Sequence, residues 1–157
     1  MVVIAATSLA KLTPHGKKLI SDSMREKGKA FIAAAMLLRK QGGNEYVVLY
    51  LLCQGIEVLG KGYLLLVDYD TYKPKLRKYG HNLIALVSDI EKAANISILN
   101  NAIRVELQVL SNLYREQLLR YGSGYDILVN PATIPSKQVL RRVVALLLFS
   151  NRKKVAI

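Results

Sequence analysis

The sequence predicts an all-α domain, about five helices in a bundle built on a long antiparallel helical hairpin. Three observations lead there. Apolar residues recur at helical spacing along most of the chain, no run keeps the strict alternation of a half-buried strand, and no internal repeat appears. The strand-like YVVLY of residues 46–50 runs on in helical phase into LLCQGIEVL, so it reads as helix. A chain of 157 residues, 52% of them hydrophobic, suits one domain with one core across residues 1–157.

The elements follow in order. After Pro14, SDSMREKGKAFIAAAMLLRKQGG reads as a first long helix, with Ser21 or Ser23 as its cap. Asp22 and Glu26 in its first turns, and Arg39 and Lys40 in its last, complement the helix dipole. Gly42-Gly43 ends it, and Asn44 caps a second long helix reaching to about Tyr69 or Tyr72. So short a connection favours a hairpin, with Ile32, Ala35 and Met36 facing Tyr50, Cys53 and Ile56.

Pro74 stops the second helix or opens a basic connector, Lys73, Lys75, Arg77 and Lys78. Gly80 then breaks the chain before HNLIALVSDIEKAAN, a shorter helix with Asn82 as its best cap and Asn95 at its end. Ser97 is expected to cap a fourth helix over 98–121, whose stripe is Leu99, Ile103, Leu107, Leu110, Tyr114, Leu118 and Tyr121. Gly122 suits its C-terminal cap, and GSGYDILVNPATIPS is a surface loop. A fifth helix starts near Ser136 and carries VLRRVVALLLF, apolar enough to be packed on most sides.

Residues 46–67 have the length of a bilayer span, but Gln54, Glu57 and Lys61 interrupt them on one helix face. A core helix with one polar seam fits better, so no membrane is expected. MVVIAATSLAKL has no positive region ahead of its short apolar run, which argues against a secretory signal. Cys53 is the one cysteine and lies in the most apolar stretch; a reducing cytoplasm is the expected location.

The formal net charge is +12, and no acid follows Asp126, whereas Lys137, Arg141, Arg142, Arg152, Lys153 and Lys154 do. Such an excess favours anionic partners. It reads equally as solvated basic faces that keep the protein soluble.

For a metal, two histidines sixty-six residues apart and one cysteine give no ligand set, and no Glu-x-x-His occurs, so no metal or cofactor is expected. Glu57 and Lys61 form an i, i+4 pair in the favourable order, expected as a buried polar network with Arg104 or Arg115 from the fourth helix. His81 begins a helix after Gly80. It serves either as helix-start structure or, beside Arg77 and Lys78, as a phosphate ligand or base. Arg115 and Arg120 interleave with Tyr114, Tyr121 and Tyr125, a composition that stacks bases and grips phosphates. The same residues also suit a core stripe and a helix C-terminus.

The helical hairpin, YLLCQGIEVLGKGYLL in its second helix, the helix start KYGHNLIAL and the later LNNAIRVELQVLSNLYREQLLRYG together resemble the HEPN (higher eukaryotes and prokaryotes nucleotide-binding) helical superfamily. The resemblance covers about residues 21–125 and leaves the C-terminal loop and basic helix, 126–157, outside it. It implies RNA-directed or nucleotide-linked roles in toxin–antitoxin, defence or stress systems, homodimers, and a nucleotidyltransferase-like partner. Catalytic members of that superfamily are metal-independent ribonucleases with an Arg, four to six residues and a His late in the domain. Here only Arg77 approaches His81, three residues intervene, and the pair lies in the earlier connector. The expectation is therefore a non-catalytic domain that binds an anionic partner, RNA or a nucleotide. An atypical ribonuclease or nucleotide-processing enzyme using His81, and a dimer scaffold, are the alternatives.

Overall fold

The computed structural model describes residues 12–121 and 128–149, which are helical with no strand among them. Helix α1 spans Pro14–Lys40. It starts ahead of the expected Ser21 or Ser23 because Thr13 caps it, its hydroxyl accepting from Gly16 N at 3.1 Å. Pro14 follows at the first position, where a missing N–H costs nothing. Ser21 lies inside the helix and donates back to the Lys17 carbonyl at 2.9 Å.

Asn44 caps α2, Glu45–Val67, accepting from Tyr46 N at 2.9 Å and Val47 N at 3.3 Å. The two helices are antiparallel: Arg25 meets Gly62, Gly28 meets Leu59 and Ile32 meets Gly55. A β-carbon at Gly28 would sit 2.5 Å from the Leu59 backbone nitrogen, so the backbones touch there. Ile32, Ala35, Cys53 and Ile56 are buried, whereas Met36 turns to solvent.

The connector is itself helical: α3, Tyr69–Tyr72, a 3₁₀ turn, Lys73–Lys75, and α4, Leu76–Tyr79. Gly80 then takes φ +51°, a left-handed turn that glycine tolerates best. Helix α5, Leu83–Ala94, is capped by Asn82 and closed by Asn95 at φ 52°. Asn100, not Ser97, caps α6, Asn101–Arg115. Ser97 is displaced because Glu91 accepts from Ile98 N and Leu99 N at 2.5 and 2.7 Å, holding that stretch as a bridge between helices.

The fourth helix expected over 98–121 breaks at Gln117, φ +63°, and resumes as α7, Leu118–Tyr121. The break shifts the helical phase. Leu119 takes the buried place expected of Leu118 and Tyr121, and Tyr121 is 69% exposed. Gly122 and Tyr125 lie outside the described residues. The last helix opens as a π-helical turn, Val139–Val144, and ends as α8, Ala145–Phe149. Glu106 of α6 accepts from Gln138 N and Val139 N at 2.8 and 3.1 Å, supplying the N-terminal acceptor from another helix. Short turns and this break replace the simple count of about five helices.

Helix α2 is the axis of the core and packs against α1, α5, α6, α7 and α8. Leu49, Leu52, Ile56 and Leu59 from α2 share that core with Leu83, Leu86, Ile103, Leu107 and Val143. Among the described residues α2 alone is long and apolar enough to cross a membrane, and most of it is buried inside the bundle.

Candidate functional site

Gln54, Glu57 and Lys61 recur at spacings of three and four, so α2 presents them on one face. Over that face the chain turns at Gly80 and brings His81 across. The turn is pinned residue by residue. Tyr79 donates to Asp89 at 2.7 Å, the Gly80 carbonyl accepts from Lys61 Nζ at 3.2 Å, and Asn82 caps α5.

Glu57 is the hub. Its Oε1 accepts from Lys61 Nζ at 2.5 Å, and its Oε2 lies 2.9 Å from His81 Nδ1 and 2.6 Å from the Tyr114 hydroxyl. Burial alone pushes the Glu57 carboxyl up, but the bonds from Lys61, Tyr114 and His81 outweigh it and hold the carboxyl below the usual range. The carboxylate is therefore ionised and acceptor-only, so His81 Nδ1 carries the proton between them. That tautomer leaves Nε2 of a neutral ring with a lone pair, and the His81 side chain is 44% exposed.

Tyr114 is the lid on the carboxylate. Its hydroxyl also lies 2.7 Å from Gln54 Oε1, and its ring meets His81 edge-on at 4.8 Å. A phenol has one proton, and the ionised carboxylate is the stronger acceptor. Burial and the Glu57 charge push the Tyr114 phenol well up, so it stays a neutral donor. Cys53 beneath is fully buried, and burial with the Glu57 charge pushes its thiol well up too. A thiol so placed is packing, not a nucleophile.

Arg77 and Lys78 are exposed on α4, Arg115 is exposed at the end of α6, and Arg120 lies 4.9 Å over the exposed Tyr121 ring. Arg104 does not join the Glu57 network. It follows the buried Ile103 and so falls on the outer face of α6, lining a cavity with Lys92 and Asn95. None of these five cations forms an ion pair among the described residues.

No family model matches this chain. No curated protein or solved structure matches it either.

Sequence reasoning finds the Glu57–Lys61 pair from its spacing but misses the Tyr114 hydroxyl, since a tyrosine on a core stripe reads as packing. An acid on a neighbouring helix is one partner expected of His81 at a helix start, but the sequence does not identify it as Glu57, because the two are 24 residues apart and joined only by the fold. The one available signal is that a buried carboxylate needs several donors, and α2 supplies only Lys61.

Proposed function

We propose that this chain is a non-catalytic helical domain that binds an anionic partner, RNA or a nucleotide. The observation that carries this reading is a set of exposed cations, Arg77, Lys78, Arg115 and Arg120, with no ion pair among the described residues. Charges held free of carboxylates favour phosphate. Tyr121, exposed beside Arg120, adds a face on which a base can stack. A homodimer, a nucleotidyltransferase-like partner and a place in a toxin–antitoxin, defence or stress system belong to the same proposal through the HEPN resemblance, and a cytoplasmic location through the single cysteine, Cys53. Fluorescence anisotropy with a labelled single-stranded RNA at low salt tests it. Binding that weakens steeply with salt supports the reading, and no binding at low salt overturns its RNA form.

A second reading, an atypical ribonuclease or nucleotide-processing enzyme, draws on the Glu57–His81 bond. A carboxylate on Nδ1 orients an imidazole so that Nε2 can take a proton from a substrate. On this reading His81→Ala abolishes turnover and leaves the helical circular-dichroism spectrum intact. Absence of turnover in the unsubstituted protein removes it.

A further inference from the structure

We propose that the cleft between the α5–α6 connection and the last helix binds a phosphate monoester carried on a small organic body, of the size of a nucleoside monophosphate. The inference rests on the reading above, that the chain binds phosphate-bearing partners, and locates one such site between residues 97–103 and the last helix. It shares no residue with the Glu57–His81 network.

The cleft is a cavity of about 490 Å³, within the range of small-molecule sites. Arg141 and Arg142 line one side, Ser97 and Asn100 another, and Ile103 and Leu146 contribute apolar wall. Both arginines are exposed and neither has a carboxylate partner among the described residues. Adjacent side chains on an α-helix diverge by about 100°, which sends neighbours to different surfaces. Here the pair sits on the π-helical turn Val139–Val144, whose wider winding reduces that divergence and lets both reach one cleft. Such turns are rare and concentrate at functional sites.

Two guanidiniums side by side repel each other until an anion takes both. A phosphate monoester carries close to two negative charges and enough oxygens for two forked contacts, which one carboxylate does not. The remaining polar groups suit the ester side. Asn100 spends its Oδ1 on capping Ile103 N, so its amide N–H groups are left to donate. Ser97 lines both this cleft and an adjoining cavity that Lys92 and Arg104 also line. Glu91 lines that second cavity; its Oε1 accepts from Ile98 N and Leu99 N, and it forms no ion pair among the described residues.

Isothermal titration calorimetry of the full chain with AMP, adenosine and inorganic phosphate tests the site, beside an R141Q/R142Q double variant and a K27Q/K40Q control at two exposed lysines of α1. Both arginines are exposed, and circular dichroism verifies that the helices persist. AMP is expected to bind, adenosine not to, and inorganic phosphate to bind more weakly. The double variant should weaken AMP by at least about tenfold, the loss of one charge-assisted contact, while K27Q/K40Q leaves it unchanged. No AMP binding, equal binding by the double variant, or inorganic phosphate as tight as AMP each overturns the proposal. If RNA still binds at low salt in those cases, the broader reading survives; if neither RNA nor AMP binds, both fall.

Discussion

The Tyr114 hydroxyl meets the Glu57 carboxylate at 2.6 Å across 57 residues of chain, joining the end of α6 to the middle of α2. The bond is buried, and Glu57 is 7% exposed. Tyr114→Phe keeps the ring and removes only the donor. It is expected to destabilise the fold by about 2 kcal/mol, the worth of a hydrogen bond to a charged group. Urea unfolding with an unchanged m-value measures it, and a loss under about 0.5 kcal/mol, the ordinary size of a surface substitution, contradicts the assigned role.

The same network gives stability a pH signature. Because the folded Glu57 carboxyl is held below its ordinary value, its contribution is fully present above the unfolded value of about 4.3. It disappears as pH falls through the folded value. Glu57→Gln leaves Lys61 without its charge partner and should cost about 3 kcal/mol near neutral pH. The gap between the unsubstituted protein and this variant should narrow steadily below about pH 4. A gap that stays constant down to pH 2 assigns the loss to shape instead of charge.

What was legible in the sequence depended on whether the signal was local. Asn44, Asn82 and Asn95 mark helix ends by chemistry that needs only neighbouring residues, and all three act there. Glu57 and Lys61 pair through helical spacing alone. Thr13 was hidden because Pro14 read as a boundary before the helix, when proline is at home at its first position. The break at Gln117 has no glycine or proline to announce it; packing of Leu119 into the core accompanies it. The second and third partners of Glu57, His81 and Tyr114, arrive from distant elements. The cleft at Arg141 and Arg142 needs a π-helical turn and a neighbouring connection, neither of which helical periodicity encodes.

The hairpin contact makes opposite demands on two glycines of α1. At Gly28 a β-carbon would meet Leu59 backbone atoms at 2.5 and 2.6 Å, and backbone cannot swing aside as a flexible side chain can. Gly28→Ala should therefore destabilise by about 2–3 kcal/mol despite the better helix propensity of alanine. At Gly16 the nearest atom is 3.4 Å away, so Gly16→Ala should be neutral or stabilising by up to about 1 kcal/mol. Thermal unfolding of the two variants side by side checks the contrast, and equal melting temperatures would rule out close backbone approach at Gly28.

Gln117 holds a left-handed conformation, φ +63°, between α6 and α7. That geometry costs a residue with a β-carbon about 1–2 kcal/mol, and glycine escapes it at an entropic cost of about 0.5–1. Gln117→Gly should thus raise stability by roughly 0.5 kcal/mol, whereas Gln117→Val should lower it, since a β-branched residue tolerates positive φ least. Paired denaturation curves decide the matter. A stabilising valine would mean that α6 and α7 join into one continuous helix in solution.

For the anionic partner, the decisive quantity is the dependence of affinity on salt. Each phosphate neutralised on a single strand contributes about −0.7 to the slope of log K against log salt. Arg77 and Lys78 sit on one short exposed turn, and Arg115 and Arg120 flank the break at Gln117. If both members of a pair touch phosphates, the R77Q/K78Q and R115Q/R120Q variants should each flatten the slope by about 1.4. The effect should be similar for RNAs of different sequence, since backbone contacts position a strand without reading it. Arg104→Gln stands as the control, on the outer face of α6 away from both pairs in sequence. A slope unchanged by both double variants but flattened by R104Q would move the RNA-binding face to the α5–α6 side of the bundle.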